Sequence, residues 1–186
     1  ERGGVRVELG TAIAQITLAG GRATGAVSTD GRQFTAERVI CNGDPPTVYQ
    51  QMLPGESRSK RALPESATTY SMGLYVLFFG TKRKYEDVAH HTIWMGPRYR
   101  ELLADIFDRK ILADDFSLYL HRPTATDDSF APDGCDSFYV LCPVPNLLGD
   151  VDWQKEGPNL RDRIVAALDK TIMPGLSESI SDDFWM

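Results

Sequence analysis

The sequence predicts an α+β protein: a small β-meander followed by a mixed, largely antiparallel sheet covered by helices. Short alternating apolar runs, broken by Gly-Gly and Asp-Gly, fill the first forty-odd residues. Longer apolar runs of strand size follow from residue 69, and two later segments repeat their apolar residues at helical spacing. Apolar residues make up 42% and charged residues 25% of the 186, an ordinary globular composition. That length suits one substantial domain with part of a second, and the expected division is 1–44 and 45–186.

In chain order, residues 5–9 alternate as a first strand and 13–18 form a second, after which Gly20-Gly21 turns the chain. Residues 22–29 make a third strand, and Asp30-Gly31 offers the positive φ angles of a tight type I′ hairpin before 33–35 returns. The run 38–41 reads as a buried strand ending at Asn42-Gly43-Asp44-Pro45, where Asp44 caps a helix reaching about Leu53. The charged stretch 54–66, with Pro54, Gly55 and Pro64, is an exposed connection. Residues 69–80 are expected as a central strand covered on both faces, since both alternating sets are apolar from Leu74. Residues 91–95 form the next strand. Gly96-Pro97 then opens a helix with Tyr99, Leu102, Leu103, Ile106 and Phe107 on one stripe. Two strands, 117–121 and 138–142, flank a polar loop, and Gly157-Pro158 starts a last helix whose stripe is Leu160, Ile164, Ala167, Leu168 and Ile172.

A net charge of −6 argues against a nucleic-acid partner, because phosphate binding needs clustered Lys and Arg. Cys41, Cys135 and Cys142 form no C-x-x-C pair, so neither a disulfide framework nor a thiolate metal site is expected, and a reducing cytosol fits. Cys41 reads as a small buried hydrophobe. His90 and His91 would point to opposite faces of a strand and His121 stands alone, so no metal site is expected. Asp114-Asp115, Asp127-Asp128 and Asp182-Asp183 read as solvated charge or caps. No apolar run reaches the roughly 20 residues of a membrane-spanning helix. Neither a glycine-rich dinucleotide fingerprint nor a phosphate loop occurs. Met72, Leu74, Val76, Phe78, Trp94, Met95, Leu118, Leu120, Phe138 and Val140 form a rich apolar set, suited to an ordinary core or to the wall of a long greasy cavity.

Residues 90–103 (HHTIWMGPRYRELL) and 105–108 (DIFD) closely resemble the bacterial phytoene desaturase family. So do 112–127 (LADDFSLYLHRPTATD), 138–141 (FYVL) and 143–145 (PVP). Gly21-Arg22-Ala23-Thr24-Gly25 and Asn42-Gly43-Asp44 extend the resemblance backwards, so that it covers nearly the whole chain. Cys41 and Gly43 depart from it, standing where Ser and Ala are expected, as does Asn146-Leu147 in place of His-Leu.

The resemblance implies an internal piece of an FAD-dependent oxidoreductase that desaturates phytoene or a related long polyene in carotenoid biosynthesis, with ends that look cut. Residues 1–44 would then belong to the FAD-binding domain, and 45–186 to a substrate-binding domain incomplete at its C-terminus. The flavin fingerprints would lie outside the piece, leaving it inactive and colourless alone, with Ile13 as its one expected FAD contact. The apolar set without Met95, namely Met72, Leu74, Val76, Phe78, Trp94, Leu118, Leu120, Phe138 and Val140, would form the substrate site. No catalytic residue is assigned. The resemblance also implies a cytoplasmic protein, peripheral at the inner face of the membrane in which its substrate dissolves. Two alternatives stay open: another flavoprotein of the amine-oxidase superfamily, such as an amine oxidase or carotenoid isomerase, and a stand-alone carrier of hydrophobic ligands.

Overall fold

The computed structural model describes residues 3–55 and 67–186, and the chain divides into two compact units, Glu1–Thr69 and Tyr70–Met186. The expected connection at 54–66 lies mostly outside the described residues.

The first unit holds a three-stranded sheet in the order β1 (Ile13–Ala19), β2 (Arg22–Ser28), β3 (Gln33–Thr35). Its type I′ turn is at Gly20-Gly21, where both φ values are positive (57° and 78°) and Ala19 pairs with Arg22. At the second turn only Gly31 has positive φ, and its N–H donates to the Ser28 carbonyl at 3.0 Å. That is a type I turn closed by a left-handed glycine, not the expected type I′, because Asp30 keeps an ordinary backbone and its carboxylate bonds the Ser28 hydroxyl instead. Two expected strands are missing. Residues 5–9 and 38–41 have strand-like alternation, but no described strand pairs with either, and Leu9 (87%) and Ile40 (98%) are exposed. Alternation sets a face; a strand also needs a partner. Cys41 is correspondingly exposed, not a buried strand-end residue.

Asp44 accepts from the Thr47 N–H and Pro45 takes the first helical position, so α1 (Pro45–Thr47) starts as expected. It continues as a π-helical turn, Val48–Met52, that ends at Leu53.

The second unit is a five-stranded sheet ordered β5-β6-β7-β4-β8: β4 (Gly73–Thr81), β5 (His91–Trp94), β6 (Leu118–His121), β7 (Asp136–Val144) and β8 (Ile180–Trp185). Every described pairing is antiparallel, so the α+β class holds in its antiparallel form. β4 lies between β7 and β8, the interior position its hydrophobicity demands. Between β5 and β6, α2 (Tyr99–Ala104) runs into a π-helical turn, Asp105–Arg109. Leu102 and Ile106 are buried, whereas two residues expected on the same stripe are exposed: Tyr99 at the first helical position and Phe107 where the π-helical turn breaks the 3.6-residue register.

Helix α3 (Trp153–Lys170) begins a turn before the expected Gly157-Pro158, because the Asp152 carboxylate caps it by accepting from the Gln154 and Lys155 N–H groups. Its stripe, Leu160, Ile164, Val165 and Leu168, covers one sheet face together with Met173 and Leu176. Gly157 sits inside this helix because Trp185 crosses it: a Cβ there would lie 2.5 Å from the indole. Trp185 stacks on Tyr75 at 5.6 Å, and the Tyr75 hydroxyl donates to the Gly157 carbonyl at 2.9 Å. Helix α3 ends at Lys170 with Thr171 as its C-cap, and Gly175 (φ 76°) is the N-cap of α4 (Leu176–Ser179), which leads into β8. With Asp182-Asp183 in its middle, β8 has no strand-like alternation of its own. The strand binds through Phe78↔Phe184 pairing and through Arg161 of α3, whose guanidinium donates to Asp183 at 2.7 and 3.1 Å.

Candidate functional site

Alternation along the paired strands divides the five-stranded sheet into two unlike faces. Tyr75, Leu77 and Phe79 of β4, Phe138, Val140 and Cys142 of β7, and Leu118 and Leu120 of β6 point to the helix side and are buried. Burial there raises the Cys142 thiol to about 12, which suits a packing residue rather than a nucleophile.

The opposite face is open. Cross-strand register aligns Ile93 with Tyr119, Tyr119 with Leu141, Leu141 with Val76, and His91 with His121, His121 with Tyr139, Tyr139 with Phe78, Phe78 with Phe184. The second row crosses all five strands, and the first spans four, from β5 to β4. The rings touch along them: His121 to Tyr139 at 4.6 Å, Tyr139 to Phe78 at 6.0 Å and Phe78 to Phe184 at 6.5 Å. Leu74 (46%), Phe78 (40%), Ile93 (63%) and Phe184 (63%) are exposed. A cleft of about 480 Å³ opens here between Phe78, Tyr139, Phe184, His121, Pro123 and Phe130. A smaller one of about 300 Å³ lies at the other end of β4, between Leu74, Pro145, Leu147, Trp153 and Met186.

The nine residues expected at a substrate site therefore do not share one surface. Leu74, Val76 and Phe78 lie on the open face, with Met72 preceding them in the same alternation. Leu118, Leu120, Phe138 and Val140 lie on the covered face, and Trp94 packs half-buried against that same core. The expectation that β4 is covered on both sides is corrected likewise: its second face is apolar but bare. Tyr119, Tyr139, Leu141 and Phe184, which complete the open face, were missed. Their signal was available only through strand pairing, which tells which residue stands beside which.

The histidines also differ from expectation. β5 starts at His91, so His90 lies in the preceding bend, free of strand alternation, and antiparallel pairing sets His121 opposite His91. The rings of His90 and His121 are 4.7 Å apart and those of His91 and His121 5.2 Å, with 2.7 Å between His90 Nε2 and His121 Nε2. Strand geometry does not separate His90 from His91, because only His91 lies in the strand. Burial, then the neighbouring imidazoles of His90 and His91, lower the His121 pKa below its ordinary value.

The acidic pairs meet expectation only in part: Asp127 caps a turn and Asp128 is solvated, whereas Asp115 and Asp183 are half-buried in ion pairs. Asp127 accepts from the Ser129 N–H, Asp128 pairs with Lys84, Asp115 with Arg98 and Asp183 with Arg161.

At the edge of its own sheet, β1 has one unpaired backbone side, and its first residue, Ile13, is 37% exposed beside a shallow cleft of about 420 Å³ with Gly25, Ala26 and Phe34. Such an edge suits hydrogen bonding to one margin of a flavin dinucleotide. The described residues offer no glycine-rich strand-to-helix turn for its pyrophosphate, so they do not fit the cofactor as a whole.

Residues 1–131 match the family model described as flavin containing amine oxidoreductase. The chain is 45% identical to a lycopene-forming phytoene desaturase of Paracoccus sp. over 97% of its own length and 36% of the relative's. It is 44% identical to another lycopene-forming phytoene desaturase, from Pseudescherichia vulneris, over 95% and 36%. A zeta-carotene-forming phytoene desaturase of Myxococcus xanthus is 36% identical over 95% of the chain and 34% of that protein. The chain thus spans about a third of the length of these relatives. Among solved structures, an oxidoreductase from Methanosarcina mazei superposes with a TM-score of 0.57 at 16% identity over 95% of this chain and 36% of that one, a likeness of fold.

Proposed function

The chain belongs to the flavin-containing amine oxidoreductases, and from that premise we propose that it forms the substrate-holding part of an FAD-dependent desaturase of phytoene or a related long polyene. One observation carries the proposal: the sheet leaves a contiguous aromatic and aliphatic face bare, with Leu74, Val76, Phe78, Tyr139, Leu141 and Phe184 in register across three strands. Soluble monomers seldom expose such patches unless they bind something apolar. A hydrocarbon offers no hydrogen bonds, so its recognition rests on apolar area removed from water and on the length of the surface that covers it.

In this reading residues 1–44 contribute to the flavin-binding domain, with Ile13 at one margin of the cofactor, and 45–186 to the substrate domain. The flavin, when bound, accepts the hydride. The residues of this chain hold the polyene straight along the open face and keep water from it. Leu74, Val76 and Phe78 contact the substrate, and the buried members of the apolar set, Leu118, Leu120, Phe138 and Val140, support that surface from beneath. A substrate dissolved in lipid also places the protein at a membrane surface; none of the described helices is long and apolar enough to cross one.

The test is desaturation of phytoene supplied in liposomes by the flavin-loaded full-length protein, comparing native sequence with Phe78→Ala. Losing a ring worth about 1.5–3 kcal/mol of apolar burial should raise KM at least about tenfold. Phe78 is exposed, so folding should survive. Unchanged KM and kcat in Phe78→Ala would remove the open face from the substrate site.

A further inference from the structure

We propose that His90, His91 and His121 form a binding site for one divalent late first-row cation, of which Zn2+ and Co2+ are the natural probes. Among the described residues these three histidines offer ligand atoms that all lie within 4.8 Å of one another. Two elements bring them together. The antiparallel β5–β6 pairing puts His91 opposite His121, and the Arg122 N–H donates to the His90 carbonyl at 2.8 Å, tying the bend before β5 to the end of β6.

The ring nitrogens are arranged as ligands need them. His90 bonds the Thr126 hydroxyl through Nδ1, and His91 bonds the Tyr119 hydroxyl through Nδ1 at 2.7 Å. Those outer partners fix the ring orientation and leave Nε2 as the nitrogen each ring can offer a metal, the second-sphere pattern of metal-binding imidazoles. His121 Nδ1 is buried without a partner among the described residues, so this ring interacts through Nε2, which faces His90 Nε2 at 2.7 Å.

A tetrahedral site with metal–nitrogen bonds of about 2.0–2.1 Å places its nitrogens about 3.3 Å apart. The 2.7 Å pair must open by about half an ångström, and the 4.8 Å limit must close by about 1.5 Å, movements within reach of side-chain rotation. Three imidazoles leave a fourth position to water, and an all-nitrogen set selects Zn2+, Co2+, Ni2+ or Cu2+ over the oxygen-seeking Mg2+ and Ca2+.

The experiment is a Co2+ titration of the metal-stripped protein, followed by visible absorption, with Zn2+ added afterwards. One equivalent of Co2+ should give a tetrahedral spectrum that Zn2+ abolishes and Mg2+ does not. His91→Gln, at the exposed edge strand, and His121→Gln should each weaken binding at least tenfold while leaving the far-ultraviolet circular dichroism unchanged. Tyr119→Phe keeps all three imidazoles and removes only an orienting hydroxyl, so about a tenfold weakening is expected there as well. No cobalt spectrum, or an affinity unaltered in His91→Gln and Tyr119→Phe, would overturn the proposal. If His121→Gln alone fails to fold, those two variants decide it.

Discussion

Replacing Asp136 by Asn should cost the second unit about 3–5 kcal/mol, the usual loss when one partner of a buried ion pair disappears. The Asp136 side chain is fully buried and that of Arg122 is 7% exposed, and their charged atoms lie 3.0 Å apart. At an effective dielectric constant near 20, that separation is worth about 5–6 kcal/mol of attraction. Asp136 also accepts from the Thr124 hydroxyl at 2.6 Å and the Tyr85 N–H at 2.7 Å. An asparagine can keep both bonds, its carbonyl serving Tyr85 and its amide the Thr124 oxygen, so the substitution isolates the charge. What remains is a guanidinium held by the Val88 carbonyl at 2.8 Å with no counter-ion.

The three tryptophans, Trp94, Trp153 and Trp185, all lie in the second unit, so their fluorescence during urea unfolding reports that unit alone. The midpoint should fall with the slope nearly unchanged. Adding Arg122→Met should restore part of the loss, because no charge is then stranded, and the double-mutant cycle should show a coupling of at least about 2 kcal/mol. A loss below about 1 kcal/mol, or additivity of the two changes, would refute the reasoning.

The remaining expectations concern pH and backbone. His121 binds its proton less readily folded than unfolded, so the unfolded chain holds more protons and stability rises with pH. The contribution is fully present above the unfolded value near 6.5 and is lost as pH falls from there toward the lower folded value; unfolding midpoints from pH 8 to 5 should drop less steeply in His121→Gln, and identical slopes would contradict the assignment. In Gly25→Ala the new Cβ would meet the Phe34 carbonyl oxygen at 1.9 Å at a φ of 155°, so β2 and β3 must part. Amide exchange at Ala26 and Phe34 should quicken, reflecting a local loss of about 2 kcal/mol or more, and unchanged protection would show that the backbone yields without cost.

The sequence alone determined the elements whose signal is local. Asp44-Pro45 gave a helix start, Gly20-Gly21 a turn, and the Leu160, Ile164, Leu168 spacing a helix face, because capping, backbone freedom and 3.6-residue periodicity act within a few residues. The long matches at 90–103 and 112–127 carried the family without any structure. Only the tertiary structure decided what depends on a partner. Residues 5–9 alternate like a strand but pair with no described strand, whereas 180–185, with two acids in the middle, is a strand because β4 has a free edge and Arg161 neutralises Asp183. Sequence could assemble the apolar set but not sort it, since both faces of β4 are apolar and a helix covers one of them. As β4–β7 pairing sets Phe78 beside Tyr139, β5–β6 pairing draws His121 to His91, a meeting across 29 intervening residues that follows from strand register alone.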